Sequence, residues 1–187
     1  MPRYIALLRG INLGRRRIKM EDLRARFEQL PFAEVTTFIA SGNVIFDSTS
    51  ADPAQLEASI EHHLKNELGY EVDTFLRTTA ELTAVAAHRP FAAPDMDDPA
   101  HTINVGFFKV APTTDQSRRF AACRTDVDQI SVKGREYYWL CRIKSSDSQI
   151  WKHPGMRGLK LPTSSMRNLN TVQKLAALYP PAAVRPR

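Results

Sequence analysis

A cluster of cations follows an apolar segment near the start of the chain. The apolar run ends in Leu8-Arg9-Gly10-Ile11-Asn12, and Gly14 precedes Arg15-Arg16-Arg17-Ile18-Lys19. Glycines let backbone amides approach a ligand closely, and the start of a following helix adds unpaired N–H groups. Arginine and lysine supply the charge that binds phosphate or carboxylate. The pattern predicts an anion site whose ligand-binding residues in this segment are Arg9, Gly10, Asn12, Arg15, Arg17 and Lys19.

The same segment also fits a surface turn with no ligand. Gly10 would then serve backbone geometry, and Asn12 would fix the turn through side-chain hydrogen bonds. No Gly-Lys-Ser/Thr follows at the spacing of a Walker loop, and the glycines do not form Gly-x-Gly-x-x-Gly. The nucleoside-triphosphatase and dinucleotide interpretations are therefore excluded, while the anion site and the plain turn both stay open.

A second basic segment near the C-terminus reads Arg167-Asn168-Leu169-Asn170-Thr171, with Lys174 beyond it. We predict that Arg167, Asn168 and Lys174 also bind the ligand, with Arg167 and Lys174 about two turns apart on one helix. The alternative is a helix N-terminus that Asn168 or Asn170 caps, beside a solvated charged face. The polar tip Ser41-Gly42-Asn43 is predicted as a hairpin turn at the opposite end of its sheet from the first loop.

Residues that could perform catalysis are sparse. His62 and His63 are adjacent on a predicted helix, so their rings diverge by about 100° and do not ligate one ion. The acidic cluster Asp95, Asp97 and Asp98 lacks the glycine and distal glutamate of a calcium loop. No nucleophile elbow occurs. We predict no metal and no cofactor, and the catalytic residues, if any, are unknown.

Charge is unevenly distributed along the chain. Residues 1–26 carry eight Lys or Arg against two acids, residues 151–187 carry seven against none, and the middle is acidic. If the two ends meet, they form a positive face for phosphates or nucleic acid; otherwise they only aid solubility. No apolar run is long enough to span a membrane, so we expect a cytoplasmic protein. Cys123 and Cys141 are predicted as buried thiols.

The first half of the chain predicts the order β-α-β-β-α-β. Strands are expected at residues 4–9, 35–40, 43–47 and 71–77, and a helix at 20–30. Asp52 and Pro53 begin a second helix that Gly69 ends. Ser41-Gly42 reads as a two-residue hairpin loop, and Thr78-x-x-Glu81 as a capping box that opens a further short helix.

The second half repeats this order after a Pro/Asp-rich stretch at 89–101. Strands are expected at 102–110, 127–132, 136–143 and 159–161, with a helix opened by the capping box Thr113-x-x-Gln116 and a final helix after Asn168 or Asn170. Tyr137 and Trp139 share one strand face and are expected in the core. The prediction is an α+β protein of two tandem ferredoxin-like (βαββαβ, α-β plait) subdomains with antiparallel sheets, at 1–88 and 102–187, joined by a linker at 89–101.

Several of these segments together resemble a known bacterial family. They are Leu8-Arg9-Gly10-Ile11-Asn12, Lys19-Met20 with Leu23, Ser41-Gly42-Asn43-Val44, and Arg167-Asn168 with Thr171-Val172 and Lys174-Leu175. This combination is similar to the domain of unknown function 1697, almost from end to end. The resemblance implies two tandem ferredoxin-like subdomains and no established activity. Arg15 stands where many members have glycine, and Leu169 where an aromatic residue is common.

Three functions are compatible with these observations. The leading hypothesis is a non-enzymatic module that binds an anion, a nucleotide or nucleic acid through its basic ends. The second is a small enzyme acting on a phosphorylated or carboxylated metabolite. The third is a protein-interaction scaffold that uses open sheet faces or edges. The sequence indicates neither a membrane partner nor a particular oligomeric state.

Overall fold

The fold comprises two compact units, each built on one four-stranded sheet. A computed structural model describes residues 1–12, 14 and 16–182. The chain divides into Met1–Ala84 with Leu175–Arg187 as the first unit, and Val85–Lys174 as the second. In the described residues, no helix is both long and apolar enough to cross a membrane.

The first unit is an antiparallel sheet with two helices. Its order along the chain is β1 (Arg3–Arg9), α1 (Met20–Glu28), β2 (Ala33–Phe38), β3 (Asn43–Asp47), α2 (Pro53–Leu68) and β4 (Asp73–Thr78), followed by α3 (Thr79–Ala87). The strands lie in the order β2-β3-β1-β4. Leu7 pairs with Asn43 on one side of β1 and with Phe75 on the other, so β1 and β3 are central.

The second unit has the same strand order but a different second crossover. It begins with α4 (Ala93–Asp97), β5 (Thr102–Phe108), α5 (Thr114–Ala122), β6 (Asp128–Lys133) and β7 (Glu136–Cys141). Three single-turn 3₁₀ helices (Ser145–Asp147, Ile150–Lys152, Pro154–Met156) then lead to β8 (Ser164–Asn168) and α6 (Leu169–Leu178). The strands lie in the order β6-β7-β5-β8, with all pairs antiparallel.

Both faces of each central strand are buried. In β1 every residue from Tyr4 to Leu8 is at most 2% exposed, which explains why the sequence there is continuously apolar rather than alternating. Leu23 and Phe27 of α1 pack with Leu56, Ile60 and Leu64 of α2 in one core with alternate strand residues. In the second unit Tyr137 and Trp139 lie in the core beside Phe120, which confirms their prediction as core residues.

Local signals predicted the helix ends correctly. Asp52 accepts hydrogen bonds from the amides of Ala54 and Gln55 at the start of α2, and Gly69 ends that helix with a φ of 74°. Both capping boxes are formed, with Thr78 and Glu81 bonded reciprocally before α3 and Thr113 and Gln116 before α5. Both cysteines are buried and free, as predicted. The α+β class with antiparallel sheets is confirmed.

Two local predictions were wrong, and the segment predicted as a linker contains a short helix. The hairpin between β2 and β3 has a four-residue loop, Ile39–Gly42, rather than a two-residue one, because β2 begins and ends earlier than expected. The last strand lies at Ser164–Asn168 and not at 159–161, where the chain has no regular structure. The stretch at 89–101 contains the helix α4, which Arg142 holds through two hydrogen bonds of 2.7 Å to Asp95.

Candidate functional site

Asn12 joins the two described ends of the loop between β1 and α1 through contacts with Ile18. Asn12 Oδ1 accepts a hydrogen bond from the Ile18 amide at 2.8 Å, and its Nδ2 lies 3.5 Å from the Ile18 carbonyl oxygen. Gly10 adopts a φ of 87°, which only glycine tolerates readily. Ile11 is 4% exposed and anchors the loop in the core. Asn12 is therefore a structural clamp within the loop.

Three loops of the first unit meet at the end of the sheet where β1 stops. The Leu8 amide donates to the Gly42 carbonyl at 2.8 Å, and the Tyr70 hydroxyl donates to the Ile11 carbonyl at 3.2 Å. A Cβ on Gly42 would lie 2.7 Å from Ile11 Cγ2, so only glycine fits there. The prediction that the hairpin and the first loop lie at opposite ends was wrong, because β1 and β3 are antiparallel neighbours.

The cations of this region form one exposed set, which we call the basic loop: Arg9, Arg16, Arg17 and Lys19. Arg9 lies 3.7 Å from Asp73, and the Arg16 guanidinium sits over the Tyr70 ring at 4.4 Å. Arg17 donates to the Arg16 carbonyl. Among the described residues, Arg16, Arg17 and Lys19 have no acidic partner within 4.0 Å. Arg15, predicted to bind the same ligand, lies outside the described residues.

The N-terminus of α1 adds less to an anion site than the sequence suggested. Lys19 is its N-cap residue and makes no side-chain capping bond, while Glu21 and Asp22 occupy the first turn. These carboxylates already complement the positive end of the helix dipole. Positive charge at this end of the sheet therefore comes from the basic loop itself.

An acidic cleft lies between α2 and the start of β4, next to Arg9 of the basic loop. It has a volume of about 280 Å³ and is lined by Glu61, His62, Lys65, Glu71, Val72 and Asp73. Lys65 Nζ donates to Glu71 at 3.0 Å, and this hydrogen bond lowers the pKa of the Glu71 carboxyl. In the part of the chain that is described, no group of His, Cys, Asp and Glu side chains is arranged to hold a metal ion.

The C-terminal candidates do not share a surface. Arg167 lies in β8, 9% exposed, and donates to Ser165 Oγ at 2.8 Å and to the Met166 carbonyl at 2.9 Å. Burial lowers its pKa to about 10. Asn168 caps α6 by accepting from the Asn170 amide at 2.9 Å, and Lys174 is exposed on that helix. The prediction that Arg167 and Lys174 lie on one helix was wrong, because β8 extends to Asn168.

Sequence reasoning missed a buried arginine in the first unit. Arg77 is 1% exposed and donates to the Leu76 carbonyl at 2.8 Å. It is the second-last residue of β4, as Arg167 is of β8, and a helix follows each strand directly. One sequence signal could have indicated this residue. In both halves an arginine near the end of a strand is followed directly by a residue that caps a helix, as in Arg77-Thr78 and Arg167-Asn168. Of the predicted ligand-binding residues in the described chain, only Arg9, Arg17, Lys19 and Lys174 expose their charge.

Fold and site together define an α+β protein with two four-stranded antiparallel sheets and a basic loop at one sheet end. The sequence profile of the family described as "Protein of unknown function (DUF1697)" matches residues 1–138. The chain belongs to this family. No curated protein matches it.

A solved structure supports the fold. The chain is similar to the conserved bacterial protein SP0830 from Streptococcus pneumoniae, with 22% sequence identity and a TM-score of 0.72. The match covers 96% of this chain and 98% of the other. At this identity the likeness establishes the arrangement of helices and strands and carries no statement about function.

Proposed function

We propose that the protein is a non-enzymatic module that binds a phosphate-bearing anion, either a nucleotide or nucleic acid, through the basic loop. The observation that carries the proposal is that Arg16, Arg17 and Lys19 are exposed on one clamped loop and, in the described residues, have no carboxylate partner. Such charges attract phosphate and release its counterions on binding. Within the second basic segment, residues 167–174, only Lys174 has an exposed charge to contribute.

The conformation of the loop supports this proposal. Asn12 holds it at Ile18 and Tyr70 holds it at Ile11, so less conformational entropy is lost when a ligand binds than with a mobile loop. Arg16 over the Tyr70 ring is oriented by a cation–π contact. The acidic cleft beside the loop disfavours anions there and confines the binding surface to the basic side.

A salt series with single charge reversals tests the proposal. A labelled RNA or DNA oligonucleotide and inorganic polyphosphate serve as probes, titrated by fluorescence anisotropy between about 50 and 200 mM salt. We expect affinity for both probes to fall steeply with salt. Arg17→Glu and Lys19→Glu should each weaken binding severalfold and reduce the salt slope by about one.

The matched control is Arg24→Glu. Arg24 carries the same charge but lies on α1, half-exposed and paired with Glu28 at 3.2 Å. A general loss of net charge would weaken binding equally in all three variants, and the loop would then have no special role. Absence of binding to either probe at the lowest salt would also refute the proposal.

We propose further that both units are ferredoxin-like subdomains in tandem, at about residues 1–88 and 102–187. The support is the identical strand order in the two sheets, β2-β3-β1-β4 and β6-β7-β5-β8, with a helix between the first two strands of each. The second unit departs from this scheme between β7 and β8, where 3₁₀ turns replace the second helix.

A further inference from the structure

An aromatic side chain stands half-exposed on the crossover between β7 and β8. Trp151 is 44% exposed, whereas the other tryptophan of the chain, Trp139, is 3% exposed. Trp151 lies in the 3₁₀ helix Ile150–Lys152, and its neighbour Ile150 is fully buried. An indole left accessible at an anchored position is a common element of binding surfaces, since it offers a large rigid area at low entropic cost.

Three aromatic rings of the second unit contact the indole of Trp151. Its ring centroid lies 5.3 Å from that of Trp139 at an interplanar angle of 76°, and 6.3 Å and 6.4 Å from those of Phe120 and Tyr137. These contacts are tilted or edge-on, and none of them is a parallel stack. The orientation of Trp151 is therefore set by the core of the second unit.

A buried carboxylate fixes the same crossover to the sheet. Asp128, 1% exposed, accepts hydrogen bonds from Trp139 Nε1 and from Ser148 Oγ, both at 2.8 Å. Ser148 Oγ in turn accepts from the Ile150 amide at 3.1 Å. This chain of bonds runs from β6 to the residue before Trp151. The indole thus belongs to a preorganised surface.

The crossover is also positively charged. Between Lys144 and Leu161 the sequence carries four Lys or Arg against a single acid, Asp147. Lys152, Arg157 and Lys160 are exposed, and within the described chain none of them has an acidic partner within 4.0 Å. The crossover also lies against α5, since Gln116 Nε2 donates to the Lys160 carbonyl. An exposed indole complements the flat face of a nucleic-acid base, and the cations around it complement the phosphates of the same strand.

We propose that Trp151 is a stacking platform for a base of single-stranded nucleic acid, with Lys152, Arg157 and Lys160 contacting its phosphates. Every base has an aromatic face, so stacking is tolerant of sequence, and surrounding cations follow the backbone. This site lies in the second unit and is independent of the basic loop. It uses chemistry that a loop of cations lacks, namely recognition of the base itself.

The test compares a base-bearing polyanion with one that has no bases. Full-length wild type, Trp151→Ala and Trp151→Phe are titrated with a labelled single-stranded oligothymidylate by anisotropy, and inorganic polyphosphate is titrated as a competitor. We expect Trp151→Ala to weaken oligothymidylate binding about tenfold and Trp151→Phe to retain most of the affinity. Affinity for polyphosphate should change less than about twofold in both variants.

Intrinsic fluorescence supplies a second measurement. Oligothymidylate should quench the wild-type tryptophan emission, and the quenching should vanish in Trp151→Phe because buried Trp139 is shielded. Val110→Ala is the matched control, since Val110 is another exposed apolar residue of this unit, 61% exposed. Thermal unfolding of each variant checks that it is folded.

Two results would overturn the proposal that Trp151 is a stacking platform. One is an oligothymidylate affinity of folded Trp151→Ala within twofold of wild type, with no quenching of the wild type. The other is an equal loss of affinity for polyphosphate, which makes Trp151 a structural residue only. Charge reversal in the basic loop should instead weaken the binding of both oligothymidylate and polyphosphate. The two proposals therefore predict different changes in affinity for the two probes, and the failure of one can be distinguished from the failure of the other.

Discussion

A single side chain, Asn12, sets the shape of the basic loop. Its two contacts are both with Ile18, so the bonded pair flanks Arg16 and Arg17, and the bond to the Ile18 amide is the shorter of the two. Ile11, next to it, is held in the core and accepts from Tyr70. The interpretation of this segment as a turn fixed by Asn12 and its interpretation as an anion site are therefore compatible, because the clamp presents the charges.

Removing the clamp should cost stability. Asn12→Ala leaves the Ile18 amide without its acceptor, and we expect a loss of about 1 kcal/mol in the free energy of unfolding. Asn12→Asp keeps an acceptor and should lose clearly less. Urea denaturation of the two variants and wild type measures this difference. Equal losses in both variants would show that the hydrogen bond to Ile18 does not hold the loop.

The same pair separates structure from charge in ligand binding. Asn12→Asp adds a negative charge to the segment that carries Arg16 and Arg17 while retaining the acceptor for the Ile18 amide. It should therefore weaken polyphosphate binding, with a smaller loss of stability than Asn12→Ala.

At the scale of elements, β4 shows how an exposed strand edge is closed. It is an edge strand, and three of its amides bond carboxylates outside the sheet. The Thr74 amide donates to Glu61, the Leu76 amide to Glu57 and the Thr78 amide to Glu81, each at 2.8 Å. Glu57 and Glu61 are one turn apart on α2. An open row of amides invites pairing with another chain, and these glutamates occupy it.

Replacing Glu57 tests this arrangement. Glu57 is 5% exposed, so Glu57→Ala leaves the Leu76 amide buried without its acceptor, at an expected cost of about 1 to 3 kcal/mol. Glu57→Gln retains an acceptor and should be milder. Urea denaturation measures stability, and light scattering across concentration measures association. If Glu57→Ala matches wild type in both, the carboxylate does not protect the edge.

Helix ends that are determined by nearby residues were predictable from the sequence. Asp52, Gly69 and the two capping boxes act within a few residues of themselves, so their patterns predict helix ends without knowledge of the rest of the fold. The polar strand β8, Ser-Ser-Met-Arg-Asn, has no apolar alternation, and only its pairing with β5 makes it a strand. The position of the hairpin relative to the basic loop depends on which strands are neighbours, which no local pattern encodes.

At the scale of the whole chain, both units repeat one structural device. Arg77 pairs across the sheet with Ile5, and Arg167 with Val105, each in an edge strand beside the first strand of its unit. Each guanidinium donates to the carbonyl of the residue before it. Burying a charge is costly unless hydrogen bonds satisfy it. Two buried arginines at equivalent positions therefore indicate that the two units share one architecture, although their sequences have little identity.

The C-terminal segment, Leu175–Arg187, belongs to different units in the sequence prediction and in the structure. The sequence placed residues 102–187 in one subdomain, whereas contacts group Leu175–Arg187 with Met1–Ala84. Leu175 is fully buried, so Leu175→Ala should lower the free energy of unfolding by about 2 to 5 kcal/mol. Leu178→Ala, at a position 59% exposed, is the control and should change it by less than about 0.5 kcal/mol.

Hydrogen exchange locates the effect of this substitution. If the C-terminal segment stabilises the first unit, Leu175→Ala should speed exchange of amides in β1, β3 and β4 more than in β5 and β7, because local stability follows local packing. Faster exchange confined to β5 to β8 would instead assign the segment to the second unit, in agreement with the boundary at 102. The experiment therefore decides between the two divisions of the chain and does not depend on whether either ligand proposal is correct.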